Sequence, residues 1–420
     1  MRIGFSDLAY DQLTQDRFYS TITNMSAESE QHHIPMSSPD ITDLEKHAVQ
    51  QVLDTPYLSM GPRVVQFEDA IKTFTGTRNA LAVNSGTAGL HLCIRAIGVE
   101  TDHVVITTPF SFVASTNVIL FEKGIPVFVD VDPLTGNMDI NQLSQALQDL
   151  SSGGKAARKW LPRKGAARAR EVKALLPIDV FGQPAEMDTI MTLAHDYGIK
   201  VIEDSCEALG ATYHGRAAGT LGDFGVFGFY PNKQVTTGEG GMIITDDDQA
   251  AEYMRALRNQ GRAPGDTWLS HTHLGYNYRL DEMSAAMGAI QMTRMEELLR
   301  TRQQVAEWYL QRLPEIPGIE TPGIEKSTTR NSWFVFVIRL PKGADRQKIA
   351  AKLADRGIPV RPYFLPIHLQ PYMIEMFGYQ TGDYPVTEDL GNRGLALPFS
   401  GIMTEAQVEW VCQELRSALS

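Results

Sequence analysis

The sequence predicts an α/β protein built on a large, mostly parallel sheet, and two features of residues 79–245 support this prediction. Short apolar runs rich in Val and Ile recur along this stretch. Helical patterns, such as those of residues 86–97 and 184–195, separate the runs. Because such runs fit strands that are buried on both faces, we expect helices on both sides of the sheet. The seven strand candidates are residues 80–83, 104–107, 127–131, 175–180, 201–203, 226–229 and 242–245.

The rest of the chain divides into an extension and a second domain. Residues 1–33 are polar and without clear periodicity, and we interpret them as a flexible N-terminal extension. Organised sequence begins near Ile34, and Thr42 and Glu45 have the spacing of a capping box. We predict a large domain over residues 34–280. Residues 281–420 should form a smaller α+β domain with a long linking helix (283–313, ended by Pro314), a strand (334–340) and two helices (345–356 and 405–419).

Composition and charge exclude several classes of protein. A formal net charge of −12 over 420 residues argues against a protein that coats nucleic acid, which needs a basic face. No apolar run approaches the roughly 18 residues of a membrane span, and the N-terminus lacks the pattern of a secretory signal. The three cysteines, Cys93, Cys206 and Cys412, are far apart and form no C-x-x-C pair. We therefore expect a cytoplasmic protein without nucleic-acid or membrane partners.

A basic segment interrupts the strand–helix alternation at about residues 153–173. Residues 155–173 contain eight Lys or Arg and one acid. The pattern favours an exposed loop or solvated helix inserted between two units of the large domain. The alternative is a basic lid over a nucleotide diphosphate.

Asp204 and Lys233 together indicate a catalytic pair. Asp204 ends a strand candidate, and an acid at the carboxyl end of a parallel strand faces the crevice where such sheets bind ligands. A carboxylate there can keep a pyridine nitrogen protonated, which makes pyridoxal phosphate (PLP) an electron sink. Lys233 follows twenty-nine residues later, between an apolar strand and a Gly-rich turn. Burial at that position would favour the uncharged amine that imine chemistry needs.

A small-residue turn and an aromatic residue suggest how a cofactor could be held. Residues 84–89 (Asn-Ser-Gly-Thr-Ala-Gly) follow a strand and open a helix. Helix N-terminal amides suit a phosphate, and Gly86 leaves access to them; the alternative is a turn shaped for packing alone. The segment matches neither the Walker spacing nor G-x-G-x-x-G, which argues against nucleotide hydrolysis and dinucleotide binding. Phe112, just past another strand, would either stack on a heteroaromatic ring or belong to the core.

Ordered motifs extend over most of the chain. They are Met60-Gly61-Pro62, NSGTAGLHL, PFSFVAST, PVFVDVDP, VFGQPAEMD, EDSCEALGA, FYPNKQVTTGEGG, LGYNYRLDEMSAA and PIHLQP. In these motifs, residues 34–420 resemble the DegT/StrS family of PLP-dependent nucleotide-sugar aminotransferases, which have the fold-type I architecture. The resemblance implies that Lys233 holds PLP as a Schiff base and that Asp204 bonds the pyridine nitrogen. It also implies that Thr87 and Ala88 supply amides to the phosphate and that Phe112 stacks on the ring.

The same resemblance implies a homodimer. At two positions, this chain differs from the residues that are common in the family. Asn277 of the GYNYR motif would reach the phosphate of the neighbouring subunit's cofactor, so that the active sites are shared. The family often has Ser five residues before the lysine, where this chain has Gly228. Glu207 stands where Gln or His is common, and its carboxylate would either change the electrostatics of the cofactor ring or contact the substrate. Lys233 itself argues against the dehydratase branch, which has His at that position.

Three further residues are candidates for binding the substrate. His368 occupies a position where the family often has an active-site histidine; a buried structural histidine is the alternative. Arg279 and Arg361 are candidates because a guanidinium fork suits phosphate and carboxylate groups. His271 and His273 form no convincing metal set with nearby acids, and we interpret them as loop residues.

The resemblance implies transfer of an amino group from glutamate or glutamine to a keto group of a nucleotide-activated sugar. Lys233 would act as general acid and base for the proton that moves in each half-reaction. The nearest alternative is amination of a keto-cyclitol or another keto-sugar that carries no nucleotide. A non-catalytic PLP-binding regulator is an alternative of another class, against which the intact Lys233 and Asp204 argue.

Overall fold

The computed structural model describes residues 34–267 and 269–419. The extension predicted for residues 1–33 lies outside the described residues. The strands are β1 (Asn79–Val83), β2 (Val104–Thr107), β3 (Ile125–Phe128), β4 (Val172–Leu175), β5 (Lys200–Asp204), β6 (Thr212–Tyr213), β7 (Arg216–Ala217), β8 (Phe224–Gly228), β9 (Gly241–Thr245), β10 (Thr328–Arg330), β11 (Phe336–Arg339) and β12 (Gly394–Leu397). The α-helices are α1 (Asp43–Leu53), α2 (Pro62–Thr75), α3 (Gly86–Ile97), α4 (Ala114–Phe121), α5 (Ile140–Ser152), α6 (Gly154–Arg158), α7 (Met187–Tyr197), α8 (Asp248–Arg258), α9 (Glu282–Thr293), α10 (Met295–Arg312), α11 (Arg346–Ala354), α12 (Pro371–Phe377), α13 (Pro385–Arg393) and α14 (Glu405–Leu419).

Seven strands form one sheet in the order β1-β9-β8-β5-β4-β2-β3. The pairs β8–β5, β5–β4, β4–β2 and β2–β3 are parallel. Strand β9 runs antiparallel to both of its neighbours, β1 and β8. The prediction of a large, mostly parallel seven-stranded sheet is therefore confirmed.

Alternate residues of the strands face two apolar cores. On one face, Leu81 and Val83 of β1 pack in the core that contains α3. On the other face, Ala80 and Ala82 pack in the core that contains Phe67 of α2. This alternation follows from the two-residue period of a strand and explains why β1 is apolar throughout.

Helix α3 lies close against the sheet, and a glycine makes the approach possible. A Cβ atom at Gly89 would stand 2.8 Å from Cγ1 of Val226 in β8. The side chain of Ser85 accepts a hydrogen bond from the amide of Ala88 and so caps the helix. The first turn of α3 is thereby fixed beside the end of β8.

A further apolar core, the C-terminal core, lies in the C-terminal part of the chain. It contains β11, β12, α14 and the later turns of α10, with Tyr309 and Phe336 stacked at 4.8 Å between ring centroids. Strands β11 and β12 pair antiparallel in a sheet of their own. Ile34, which we assigned to the large domain, packs in this C-terminal core. The domain boundaries stay a prediction.

Two strands, β3 and β4, both begin and end at least two residues earlier than the sequence suggested. Strand β3 covers 125–128 rather than 127–131, and β4 covers 172–175 rather than 175–180. Leu176 still bonds to the carbonyl of Ile106, but Pro177 has no N–H to donate and interrupts the ladder. The apolar residues that follow β4 are buried outside the regular strand, which is why composition alone misplaced its end.

The prediction of one helix over residues 283–313 is wrong. Two helices, α9 and α10, occupy this stretch and meet at Arg294, whose backbone leaves the helical region at φ −103° and ψ 8°. The Arg294 guanidinium donates to Asp40, Glu45 and Glu297. Asp40 and Glu45 are distant in sequence, so these partners cannot be recognised from the helical pattern of the segment itself.

Glu45 joins the first helix to the α9–α10 junction. Its side chain is 1% exposed and accepts hydrogen bonds from Thr42, Gln291 and Arg294. The bonds with Thr42 form the predicted capping box. Burial opposes ionisation of Glu45, but these hydrogen bonds outweigh it and lower the pKa to about 2.

We predict that Glu45→Gln lowers the free energy of unfolding by up to about 3 kcal/mol at pH 7. Because the pKa is depressed in the folded state, the stabilisation is full above the unfolded value and is lost as pH falls towards 2. Urea denaturation of wild type and variant between pH 7 and pH 3 measures the difference. A difference that stays constant over this range would contradict the assignment.

Candidate active site

The candidate catalytic residues meet where the parallel strands end. Asp204 is the last residue of β5, and the loop that contains Lys233 leaves the neighbouring strand β8. Gly86 is the first residue of α3 and follows shortly after the end of β1. It lies beside the end of β8, because a Cβ atom at Gly86 would stand 3.5 Å from Cα of Gly228. Carboxyl ends of parallel strands are where such sheets bind ligands. The sheet therefore gathers residues that are far apart in sequence.

The Asp204 carboxylate is buried and fixed by two donors. The hydroxyl of Ser115 donates to Oδ2 at 2.7 Å, and the amide of Cys206 donates to Oδ1 at 3.2 Å. Ser115 lies in the first turn of α4 and hydrogen-bonds to Ser111 as well. The sequence reading missed Ser115, although it lies within the PFSFVAST motif. These bonds hold one carboxylate orientation at the end of β5.

The side chain of Lys233 is 14% exposed and lies between a carboxylate and an aromatic ring. Its Nζ is 3.7 Å from Oε1 of Glu207 and 3.6 Å from the ring centroid of Phe334. The Arg302 guanidinium donates to the carbonyls of Asn232 and Lys233 at 3.1 and 2.6 Å and so holds this loop. Burial lowers the pKa of Arg302 to about 10.

The two carboxylate oxygens of Glu207 have different partners: one faces Lys233, and the other is held by a backbone amide. The amide of Phe181 donates to Oε2 at 2.9 Å, while Oε1 faces Lys233. Burial raises the pKa of Glu207, and the charge of Lys233 opposes that rise. Burial, together with the charge of Glu207, also raises the pKa of Tyr363 to about 12. This contact with the lysine is a third role for Glu207, and the two roles expected from the sequence, an effect on the cofactor ring or a contact with the substrate, stay predictions.

The turn before α3 has the form of a phosphate cradle. Helix geometry leaves the amides of the first turn, where Gly86 and Thr87 stand, without partners inside the helix. A Cβ atom at Gly86 would lie 2.8 Å from Sγ of Cys206, so only glycine fits there without a shift. Beside it, a Cβ atom at Gly228 would meet Cys206 at an ordinary 3.4 Å. A serine at 228 therefore has room.

The remaining predicted residues lie in different surroundings. Phe112 is 64% exposed rather than part of the core, and Asn277 is also exposed. Arg279 donates to Asn259, and the exposed Arg361 donates to the carbonyl of Val360. Their substrate roles stay predictions.

The contacts of His368 are with an acid and an aromatic ring in a buried cluster. It is fully buried, bonds Glu388 at 3.0 Å and packs against Tyr384. Burial lowers the pKa of His368, and Glu388 opposes that shift. These contacts are those of a structural histidine, and its substrate role stays a prediction.

Within the described ranges, no group of three or more His, Cys, Asp or Glu is arranged to hold a metal ion. His271 is exposed, and His273 packs against Tyr253. None of the described helices is long and apolar enough to cross a membrane. The cytoplasmic location stays a prediction.

Known proteins share both the sequence and the fold. The GDP-perosamine synthase of Caulobacter vibrioides is 34% identical over 389 residues, which cover 92% of this chain and 98% of that protein. The spore coat polysaccharide biosynthesis protein SpsC of Bacillus subtilis is 32% identical over 92% of this chain and 97% of its own length. The solved structure of Helicobacter pylori PseC, an aminotransferase involved in the biosynthesis of pseudoaminic acid, has a TM-score of 0.81 at 25% identity, covering 92% of this chain and 99% of that chain.

The sheet and its strand-end residues, with these similarities, define a fold-type I PLP-dependent aminotransferase. The chain belongs to the DegT/DnrJ/EryC1/StrS aminotransferase family, which it matches over residues 39–416. It is therefore an aminotransferase with PLP as its cofactor. The carboxylate, the amine and the open helix N-terminus described above fit that cofactor chemically.

We predict that Glu207→Gln makes Lys233 of the PLP-free enzyme react faster with acetic anhydride at pH 8, by about tenfold. A glutamine still accepts from the Phe181 amide but no longer stabilises the ammonium form of the lysine. Mass spectrometry of the acetylated peptide, relative to that of the exposed Lys200, gives the rate. Glu296→Gln, a remote surface change, is the control. An unchanged or slower rate in Glu207→Gln would show that the pair has no electrostatic coupling.

Proposed function

We propose that this enzyme transfers an amino group from glutamate or glutamine to a keto group of a nucleotide-activated sugar. The observation that carries the proposal is the placement of the largely covered Lys233 amine, on the loop that follows β8, and of the fixed Asp204 carboxylate, at the end of the neighbouring strand β5. The similarity to GDP-perosamine synthases supports a nucleotide-linked sugar as the acceptor.

Each residue of the site has a distinct task in this proposal. PLP, when bound, supplies an electron sink for the carbon that loses or gains a proton. Lys233 binds the cofactor covalently and, once released, carries the proton to and from the substrate carbon. Asp204 keeps the proton on the pyridine nitrogen, and Ser115 holds Asp204 in the orientation that this requires. Glu207 stabilises the protonated form of the lysine between proton transfers.

The cofactor's phosphate and ring are assigned to the other candidates. Amides at Gly86 and Thr87 would bind the phosphate at the start of α3, and the amide of Ala88 would leave its bond with Ser85 to join them. The exposed Phe112 would cover the ring. Arg279 and Arg361 would contact anionic groups of the substrate or donor.

We also propose a homodimer in which Asn277 serves the phosphate site of the neighbouring subunit. Several large apolar side chains are exposed on the sequence segment before α2, among them Tyr57 and Met60. Exposed Phe112 adds to this set. A second copy of the chain would remove such surface from water and bring Asn277 to its neighbour.

The proposed reaction predicts an amino-sugar product whose nitrogen comes from the donor. Incubation with glutamate labelled with heavy nitrogen and a panel of keto-sugar nucleotides should give a labelled amine, which mass spectrometry detects. Lys233→Ala should give no turnover, since it removes the proton carrier. Labelled product from a keto-cyclitol alone would contradict the nucleotide-linked acceptor. Wild-type enzyme without turnover on either class would favour the non-catalytic regulator.

Shared sites predict that two inactive variants restore each other. Lys233→Ala lacks the amine, and Asn277→Asp places an acid that repels the phosphate of the neighbouring site. A mixed dimer has one site with both lesions and one with neither. After subunit exchange, activity should therefore recover to at most about half of the wild-type rate per mixed dimer. A mixture that stays inactive after exchange is demonstrated, or an active monomer by sedimentation, would refute the shared site.

A further inference from the structure

The basic segment leads to a second site, away from the cofactor. Residues 153–171 connect α5 to β4 and enclose a cavity of about 1060 Å³. The cavity is lined by Val104 at the start of β2, Val172 at the start of β4 and Ile199 just before β5. These are the amino ends of the strands whose carboxyl ends carry the active site. The five residues of β5 separate the two places by roughly 15 Å. The segment therefore does not cover the active site, and the alternative of a basic lid over a nucleotide diphosphate stays a prediction, now for this second place.

The enclosing segment is built into the fold at three points. The indole of Trp160 donates to Asp149 at 2.8 Å. The amide of Lys164 donates to the carbonyl of Phe377 at 3.0 Å, and the amide of Arg170 donates to that of Asp102 at 2.8 Å. The other expectation, an exposed loop or solvated helix, agrees with the exposure of most of its cations, and these three bonds add that the segment is anchored to the rest of the chain. A segment anchored in this way keeps the shape of the cavity it encloses.

Some of the cations that line the cavity have no acidic partner among the described residues. Of the eight Lys and Arg in residues 155–173, three pair with acids: Lys159 with Asp149, Arg163 with Asp383 and Arg170 with Glu100. The structure gives the other five no acidic partner among the described residues. Two of those five, Arg158 and Lys164, line the cavity together with Arg170.

The lining contains a single acid and has a large apolar portion. Glu171 is the one acid among the lining residues, and it pairs with His103 at 3.1 Å and more distantly with Arg170 at 4.0 Å. Leu147, Leu150 and Leu161 line the apolar portion, and Tyr197 lies at its edge, partly exposed. The cavity thus combines an apolar wall, an aromatic ring and unneutralised cations, in a chain whose net charge is −12.

We propose that this cavity binds a nucleoside diphosphate at a site separate from the active site. The base and ribose lie on the apolar wall beside Tyr197, and the diphosphate lies between Arg158, Lys164 and Arg170. Inorganic phosphate would fill only a small part of the volume and would leave the apolar wall uncovered. A flat nucleic-acid or membrane surface could not reach the concave wall.

Calorimetric titration of the PLP-loaded full-length enzyme with GDP and UDP tests the proposal. One equivalent per chain should bind to wild type at this cavity, and the double variant Arg158→Glu/Lys164→Glu should weaken that binding at least tenfold. Lys155→Glu/Arg168→Glu is the matched control, because both residues are unpaired cations of the same segment outside the lining. The control should bind as wild type does, and all forms should retain the same melting temperature and PLP absorbance.

Three outcomes would overturn the proposal. They are equal binding by the Arg158/Lys164 double variant and wild type, equal weakening in the control, and pyrophosphate binding as tightly as GDP. A nucleotide that also enters the active site appears as a further equivalent, which the double variant retains. Failure of this test therefore leaves the proposed reaction untouched, and failure of the amination assay leaves this site untouched.

Discussion

Parallel pairing of β5 with both β4 and β8 is the constraint on which the site depends. It brings the carboxyl ends of these strands to one edge of the sheet, so Asp204 and the loop of Lys233 must open into the same crevice. Gly86 and Gly89 let α3 lie against β8. A shift of α3 would move the helix N-terminus away from the carboxylate, and the phosphate and pyridine contacts that we propose for the cofactor could then no longer be made together.

Arg302 links this edge to the C-terminal core. Its guanidinium donates to the carbonyls of Asn232 and Lys233 in one segment and of Trp333 and Phe334 in the other. A buried cation bonded to four carbonyls is costly unless all of them stay in place. The lysine loop and the Phe334 ring beneath Nζ are thus held by the same side chain, although they belong to different parts of the chain.

Short-range sequence patterns correctly predicted the elements that depend on residues close together in the chain. The α3 helix, β2 and the Thr42–Glu45 capping box follow from short-range periodicity and spacing, and the structure has them as expected. Ser115 and the break at Arg294 escaped prediction because both depend on partners far away in sequence, Asp204 for one and Asp40 for the other. The basic segment was recognised by charge, but its position at the amino ends of the strands required the sheet order.

The central claim is that the Asp204 carboxylate controls the cofactor's ring nitrogen. The most direct measurement is the single-turnover rate of amino transfer from glutamate in Asp204→Asn enzyme that has been shown to contain bound PLP. An asparagine keeps the size of the side chain and can still accept from Ser115, but it carries no charge to hold the pyridine proton. The account predicts a rate at least about a hundredfold below wild type with the fold intact. A near-normal rate in PLP-loaded Asp204→Asn would contradict it.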